Sequence, residues 1–109
     1  MKKSVSGVQA NTSMEGIARR TLAFNEEVML CHFNMGKGAR IPLHSHRASQ
    51  VGYVVSGSLK FLGDSDDDTF IANAGDSYVF GPHQTHGCEV LEDSEVIEVF
   101  SPAREEYKE

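Results

Sequence analysis

The chain has 109 residues, 39% hydrophobic and 24% charged, which is typical of one soluble globular domain with a single core. Its formal net charge of −6 and the lack of a basic stripe argue against nucleic-acid binding, and the same charge disfavours an anionic membrane surface. No apolar run approaches the roughly 20 residues that cross a bilayer, and the first residues lack an apolar signal segment. We therefore expect a cytoplasmic protein without nucleic-acid or membrane partners. The two cysteines, Cys31 and Cys88, fit a reducing compartment.

Residues 1–14 are mostly polar and are expected to form a loose N-terminal arm, while residues 15–109 are expected to form one domain. No window of this domain shows the 3.6-residue apolar period of a helix. Short β-prone runs alternate instead with Gly, Asn, Asp and Pro, and turns are predicted at Ser56-Gly57 (a tight hairpin) and at Glu92-Asp93-Ser94. The predicted strands are 21–24, 27–35, 51–55, 58–62, 69–72, 77–80, 86–91 and 95–100. This pattern predicts a small all-β barrel.

The stretch from Gly38 to Gly57 contains the first candidate site. His44 and His46 are two residues apart, so on an extended strand both imidazoles lie on the same face. Gln50 follows four residues later and offers a carbonyl oxygen. Imidazole is the commonest neutral metal ligand, and an amide oxygen can complete a ligand set. The stretch therefore predicts half of a metal site.

Two motifs resemble those of the cupins, a family of small β-barrel proteins. The first motif is made by Gly38, His44, His46, Gln50 and Gly57, with glutamine in place of the family's glutamate. The second runs from Gly75 to His86, with the proline shifted to Pro82 and His83 where the motif usually has glycine. The resemblance implies an all-β cupin fold, the double-stranded β-helix or jelly-roll barrel, over residues 15–109.

The same resemblance implies one divalent transition metal. Its ligands would be His44, His46, Gln50 and His86. The metal's identity stays open among nickel, zinc, iron and manganese. Because glutamine adds no negative charge, the metal would keep its full charge, which favours Lewis-acid chemistry on an anionic ligand. The alternative is a degenerate cupin whose barrel is filled by side chains, with the histidines hydrogen-bonded in a polar core.

The last predicted strand places a carboxylate between apolar neighbours. Strand parity puts Val96, Glu98 and Phe100 on one face and Ile97 and Val99 on the other. Glu98 can therefore face solvent, or it can point into the barrel, where burial would raise its pKa and suit it to proton transfer. Parity alone leaves both orientations open.

Within the cupins, residues 15–107 resemble the KdgF family of pectin-degradation proteins. The likeness rests on residues 44–58, Gly75-Asp76-Ser77, His86-Gly87 and the tail 99–105. The family has a glutamine at the fourth ligand position, as here, and an aspartate, a phenylalanine and an arginine that match Glu98, Phe100 and Arg104. The resemblance implies that Glu98 transfers protons, Phe100 stacks on a sugar and Arg104 clamps a carboxylate. The alternatives are core packing for Phe100 and a solvated tail position for Arg104.

The implied substrate is a small acidic sugar. The KdgF family converts cyclic 4,5-unsaturated uronate monosaccharides, which are breakdown products of pectin and alginate, to linear ketonised forms. Two other hypotheses stay open: another small-molecule cupin enzyme, such as an oxygenase or lyase, and a non-catalytic cupin that binds a sugar or effector. We also expect a homodimer, because small cupins commonly pair through their sheet faces and N-terminal strands.

Two further side chains are assigned structural positions. His32 lies opposite the predicted inward face of its strand, so we expect it to be exposed. Tyr78 is expected to be a packing residue within its short strand.

Overall fold

Antiparallel strands make up most of the computed structural model, which describes residues 1–108. The seven strands are Ile17–Phe24 (β1), Met29–Met35 (β2), Arg40–His44 (β3), Ser49–Leu62 (β4), Phe70–Asn73 (β5), Ser77–Phe80 (β6) and His86–Ser101 (β7). Short 3-10 turns occur at Val5–Gly7, Asp66–Asp68 and Glu105–Tyr107. No helix among the described residues has the length and apolar character needed to cross a bilayer.

The two longest strands, β4 and β7, form the centre of the fold. They pair with each other, and the strands follow the order β1-β2-β7-β4-β5, with β3 added on β7 and β6 added on β4. The sheet closes around one core, so the prediction of an all-β barrel is confirmed. This pairing brings the ends of β3, β4, β6 and β7 together around the candidate site.

Strand alternation builds the core. The inward side chains of β2 are all buried, as are the alternate positions on β7. The largest fully buried side chains are Phe100, Met29, Leu59, Val54, Val96 and Cys31. Burial of such side chains contributes roughly 1.5–3 kcal/mol each before entropy is counted. The buried apolar faces of β2 and β7 therefore restrict the register of these strands.

The two predicted turns at Ser56-Gly57 and at 92–94 are wrong. Both segments lie inside continuous strands, and the pairing of β4 with β7 shifts register between Val54 and Ser58. Gly57 has φ of +96°, and a Cβ there would overlap Ser94, whose hydroxyl oxygen accepts the Ser58 N–H at 3.1 Å. Gly and Ser therefore form a β-bulge here, because the neighbouring strand still satisfies the backbone.

Residues of the N-terminal segment lie against β1. Asn11 forms an isolated bridge with Arg19, and the Arg20 Nε donates to the Val8 carbonyl at 3.1 Å. Most side chains of residues 1–14 are exposed or half-buried. The division into an arm and a separate domain stays a prediction.

Candidate metal centre

Three histidines from two distant parts of the chain meet at one end of the barrel. His44 ends β3 and His86 begins β7, and these two residues are paired across the strands. His46 lies in the connection to β4. Each imidazole offers one nitrogen that lies within 4.8 Å of those of the other two. The fold thus brings together the two halves that the sequence predicts.

Backbone carbonyls hold all three rings. The Nδ1 atoms of His44, His46 and His86 lie 2.9, 2.8 and 2.7 Å from the carbonyl oxygens of residues 42, 48 and 84. Because a carbonyl oxygen only accepts, each Nδ1 carries the proton, and the lone pair of a neutral ring then lies on Nε2. A metal-binding histidine is typically held in this way through its other nitrogen.

Gln50 brings a fourth lone pair into the same space. Its Oε1 lies 3.1 Å from Nε2 of His46 and 3.2 Å from Nε2 of His86. Its Nε2 donates to Glu98 Oε2 at 2.6 Å, which fixes the orientation of the amide. With neutral rings, these close contacts join acceptors to acceptors, and a cation is the group that would satisfy them. The donor set therefore fits a divalent transition metal.

Burial favours the neutral form of the His46 and His86 rings. It lowers the pKa of His46, and it lowers the pKa of His86 to about 4, with smaller effects from neighbouring charges. His86 also stacks on Phe80, with ring centroids 4.3 Å apart and planes at 5°. Neutral, fixed rings are the form in which histidine binds metal.

Glu98 points into the barrel. Only 5% of the residue is exposed, so the inward orientation that parity left open is the one observed. Its Oε2 accepts the Gln50 amide and also the Tyr78 hydroxyl, at 2.5 Å. Burial raises the pKa of Glu98, while the two hydrogen bonds and the charge of Arg104 act in the opposite direction. A buried carboxyl with a raised pKa, lying beside a candidate metal site, is suited to proton transfer.

Phe100 and Arg104 line the same cavity as His44 and Glu98. Phe100 is fully buried and meets the His46 ring edge-on, with centroids 5.9 Å apart, so it is part of the core as well. The Arg104 side chain is 11% exposed, which rules out a solvated tail position. Its guanidinium lies over the Tyr107 ring at 4.1 Å and donates to Glu106 at 3.3 Å. Its buried Nε has no hydrogen-bond partner within residues 1–108.

The cavity beside these residues has a volume of about 310 Å³. Its polar lining is made by His44, Ser45, Gln50, His86, Glu98 and Arg104. Its apolar lining includes Met14, Phe33, Met35, Ile41 and Pro42. A small anionic ligand with one apolar face matches this combination of surfaces.

Two side chains differ from their sequence-based positions. Tyr78 is buried as expected, but its hydroxyl contacts Glu98, so it belongs to the site as well as to the core. The expectation that His32 is exposed is wrong, because it is buried and its Nε2 lies 2.7 Å from Glu95. A possible signal for Tyr78 was Gly52, since a glycine inside a strand often marks a close approach of another group.

Comparison with known proteins identifies the family of the chain. The model of the cupin domain matches residues 31–101, which is more than half of the chain. The chain belongs to the cupin family. It is 30% identical over 95 residues to the pectin degradation protein KdgF of Dickeya dadantii (strain 3937). The match covers 85% of this chain and 84% of that protein.

Solved cupin structures have the same fold. KdgF from Halomonas sp. superposes with a TM-score of 0.90 at 28% identity, covering 99% of this chain and 100% of that one. An RmlC-like cupin from Shewanella frigidimarina NCIMB 400 also gives 0.90, at 34% identity, covering 98% and 95%. The predicted cupin fold and the resemblance to KdgF are thereby confirmed.

Proposed function

We propose that this cupin is a metal-dependent enzyme that converts cyclic 4,5-unsaturated uronate monosaccharides from pectin or alginate breakdown to their linear ketonised forms. The observation that carries the proposal is one cavity that is lined by three lone-pair donors of the metal centre, by the buried carboxyl of Glu98 and by Arg104. The fourth donor, His46, lies beside the other two histidines. The similarity to KdgF supports the substrate class. The cytoplasmic location expected from the sequence stays a prediction.

Arg104 and Phe100 would bind and orient the substrate. The Arg104 guanidinium has a buried Nε–H that is free to donate, and a uronate carboxylate is the natural acceptor for an arginine fork. Phe100 lines the cavity and meets the His46 and Tyr107 rings edge-on, so it would offer a rigid apolar contact to a sugar. Together they would place the sugar ring between Arg104 and Glu98.

Glu98 would move the proton. Ring opening removes the proton of the anomeric hydroxyl, breaks the bond between the anomeric carbon and the ring oxygen, and delivers a proton to the enol carbon. The reaction is an isomerisation, so one carboxyl that first accepts and then returns a proton balances it. The raised pKa of Glu98 favours the protonated state needed for the second step.

His44, His46, Gln50 and His86 would hold the metal. A bound dication would supply Lewis-acid stabilisation of the negative charge that develops on the substrate oxygens. Three neutral imidazoles and an amide oxygen suit nickel, zinc, iron or manganese, and we propose one such divalent ion.

Loss of the ultraviolet absorbance of an unsaturated uronate tests the proposal. The wild-type protein should clear this absorbance faster than buffer, and His46→Ala should not. His83→Asn is the matched control, because His83 is exposed outside the cluster and has φ of 60°, which asparagine tolerates. Equal rates for wild type, His46→Ala and buffer would exclude the proposed reaction.

The apolar lining of the cavity favours a second candidate, another small-molecule cupin enzyme. Met14, Met35 and Ile41 would suit a ligand with a larger apolar part than a uronate has. An oxygenase would consume oxygen in the presence of iron, which separates it from a sugar isomerase. A non-catalytic sugar or effector binder would bind the uronate without changing its absorbance.

The partner proposal is a second copy of the same chain. Val79, Val51 and Val99 lie side by side across β6, β4 and β7 on the outer face, and Tyr53 extends this apolar strip along β4. Val79 is 64% exposed. An apolar strip of this kind can pack against the same strip of a second copy across a two-fold axis. Val51→Lys should convert a dimer to a monomer in sedimentation velocity, and a monomeric wild type would exclude this partner.

A further inference from the structure

Tyr78, Gly52 and Glu98 form one row across three strands. Gly52 on β4 pairs with Tyr78 on β6 and with Glu98 on β7. A Cβ on Gly52 would overlap the ring and the hydroxyl of Tyr78. The missing side chain is thus what lets the tyrosine reach across the middle strand to the carboxylate.

The row connects to the candidate metal ligands through Gln50. Glu98 Oε2 accepts from the Tyr78 hydroxyl at 2.5 Å and from Gln50 Nε2 at 2.6 Å. All three side chains are buried. Because the carboxylate oxygen accepts the amide N–H, the other end of the amide, Oε1, faces His46 and His86.

In the metal-free protein, the opposite orientation of the Gln50 amide would also form hydrogen bonds. Rotated by half a turn, its NH₂ group would donate to the Nε2 lone pairs of His46 and His86, and no oxygen would face the metal. In that state Oε1 would lie against Glu98 Oε2, two acceptors in contact. A carboxylate held in place by Tyr78 therefore disfavours the rotated amide.

We propose that Gly52 and Tyr78 form a positioning pair that holds Glu98 and, through it, fixes the Gln50 amide with its oxygen toward the metal site. Tyr78 acts here as a positioning residue and touches neither metal nor substrate. The inference rests on the metal site of the proposed function and is independent of the uronate reaction. Loss of the positioning pair would act on populations. The apparent metal affinity would fall in proportion to the fraction of protein molecules whose Gln50 amide still points its oxygen toward the metal site.

Titration of chelator-treated protein with cobalt(II) chloride tests the inference. Tyr78→Phe should weaken cobalt binding about 10-fold, the scale typical of groups that orient metal ligands. Gly52→Ala keeps the tyrosine hydroxyl but displaces the ring, so it should weaken binding similarly. Phe70→Leu is the control, because Phe70 packs in the same aromatic cluster as Tyr78 without joining the hydrogen-bonded row. It should bind cobalt as the wild type does.

A double variant distinguishes orientation from general loosening. A carboxylate offers an oxygen in both orientations, so Tyr78→Phe should change cobalt affinity by less than about two-fold in a Gln50→Glu background. If Tyr78→Phe binds cobalt as tightly as wild type, or if its loss is as large in the Gln50→Glu background, the positioning role is wrong. If wild type binds no cobalt, both the metal site and this inference are wrong. The ultraviolet assay decides the proposed reaction separately.

Discussion

Gln50 Nε2 donates a 2.6 Å hydrogen bond to Glu98 Oε2 in the barrel interior. This bond connects the candidate metal ligands to the carboxyl proposed to transfer the proton. It also explains why an amide, with one donor end and one acceptor end, suits the fourth ligand position here. A carboxylate at position 50 would face another carboxyl across the same gap.

Gln50→Glu should therefore destabilise the metal-free protein by roughly 1–3 kcal/mol, because the donor to Glu98 is lost and two carboxyl groups meet in a buried space. Urea denaturation in the presence of a chelator measures this loss. Gln9→Glu, which adds the same charge at an exposed position, should leave the free energy of unfolding nearly unchanged. Equal stability of the two variants would show that the hydrogen bond between Gln50 and Glu98 does not stabilise the fold.

The metal-free protein should lose stability as the pH falls from about 6.5 toward 4. His86 has its pKa lowered to about 4 in the folded state, and that of His46 is also lowered. Between the folded pKa of His86, about 4, and its unfolded pKa of 6.5, the unfolded chain binds more protons than the folded chain. The free energy of unfolding therefore decreases as the pH decreases. Glu98, with a raised pKa, acts in the opposite direction. Urea midpoints across this range should show a slope that His86→Gln reduces; an unchanged slope would contradict this account.

Arg104→Lys should raise KM for the unsaturated uronate by about 10-fold with a smaller change in kcat. Lysine keeps the charge but loses the planar fork that pairs with a carboxylate at two points. Initial rates over a range of substrate concentrations separate the two constants. Glu106→Gln removes the surface partner of Arg104 and serves as the control. An unchanged KM for Arg104→Lys would exclude the clamp.

Glu98→Gln should lower kcat by about 10²- to 10⁴-fold, because the amide accepts hydrogen bonds but transfers no proton. Glu98→Asp should retain part of the activity, since the shorter carboxylic acid still titrates. Single-turnover loss of absorbance measures both variants. If Glu98→Gln keeps the wild-type kcat, the proton is carried by another group.

The spacing of the sequence motifs was sufficient to identify the three histidines of the site, but not to predict how each is positioned. His44 and His86 pair across β3 and β7, in agreement with the cupin motifs. His46 lies after the end of β3, so the path of the connection to β4, and not strand parity, brings it beside them. Alternation put Val96, Glu98 and Phe100 on one face of β7, and all three are buried. It did not predict which face is buried, because both faces of the strand carry apolar residues.

Three features depended on partners distant in sequence. Ser56-Gly57 has the composition of a hairpin turn, but Ser94 on β7 converts it into a bulge. His32 lies on the outward face, yet it is buried and contacts Glu95. The reach of Tyr78 across Gly52 to Glu98 required the order of three strands, which no local pattern specifies.

The most direct measurement of metal-dependent catalysis is the rate of absorbance loss from the unsaturated uronate before and after metal removal. Chelator treatment should reduce the wild-type rate to that of buffer, and one equivalent of a suitable divalent metal should restore it. His44→Ala should stay at the buffer rate after the same addition. A rate that chelation leaves unchanged, or that none of nickel, zinc, iron and manganese restores, would contradict the account.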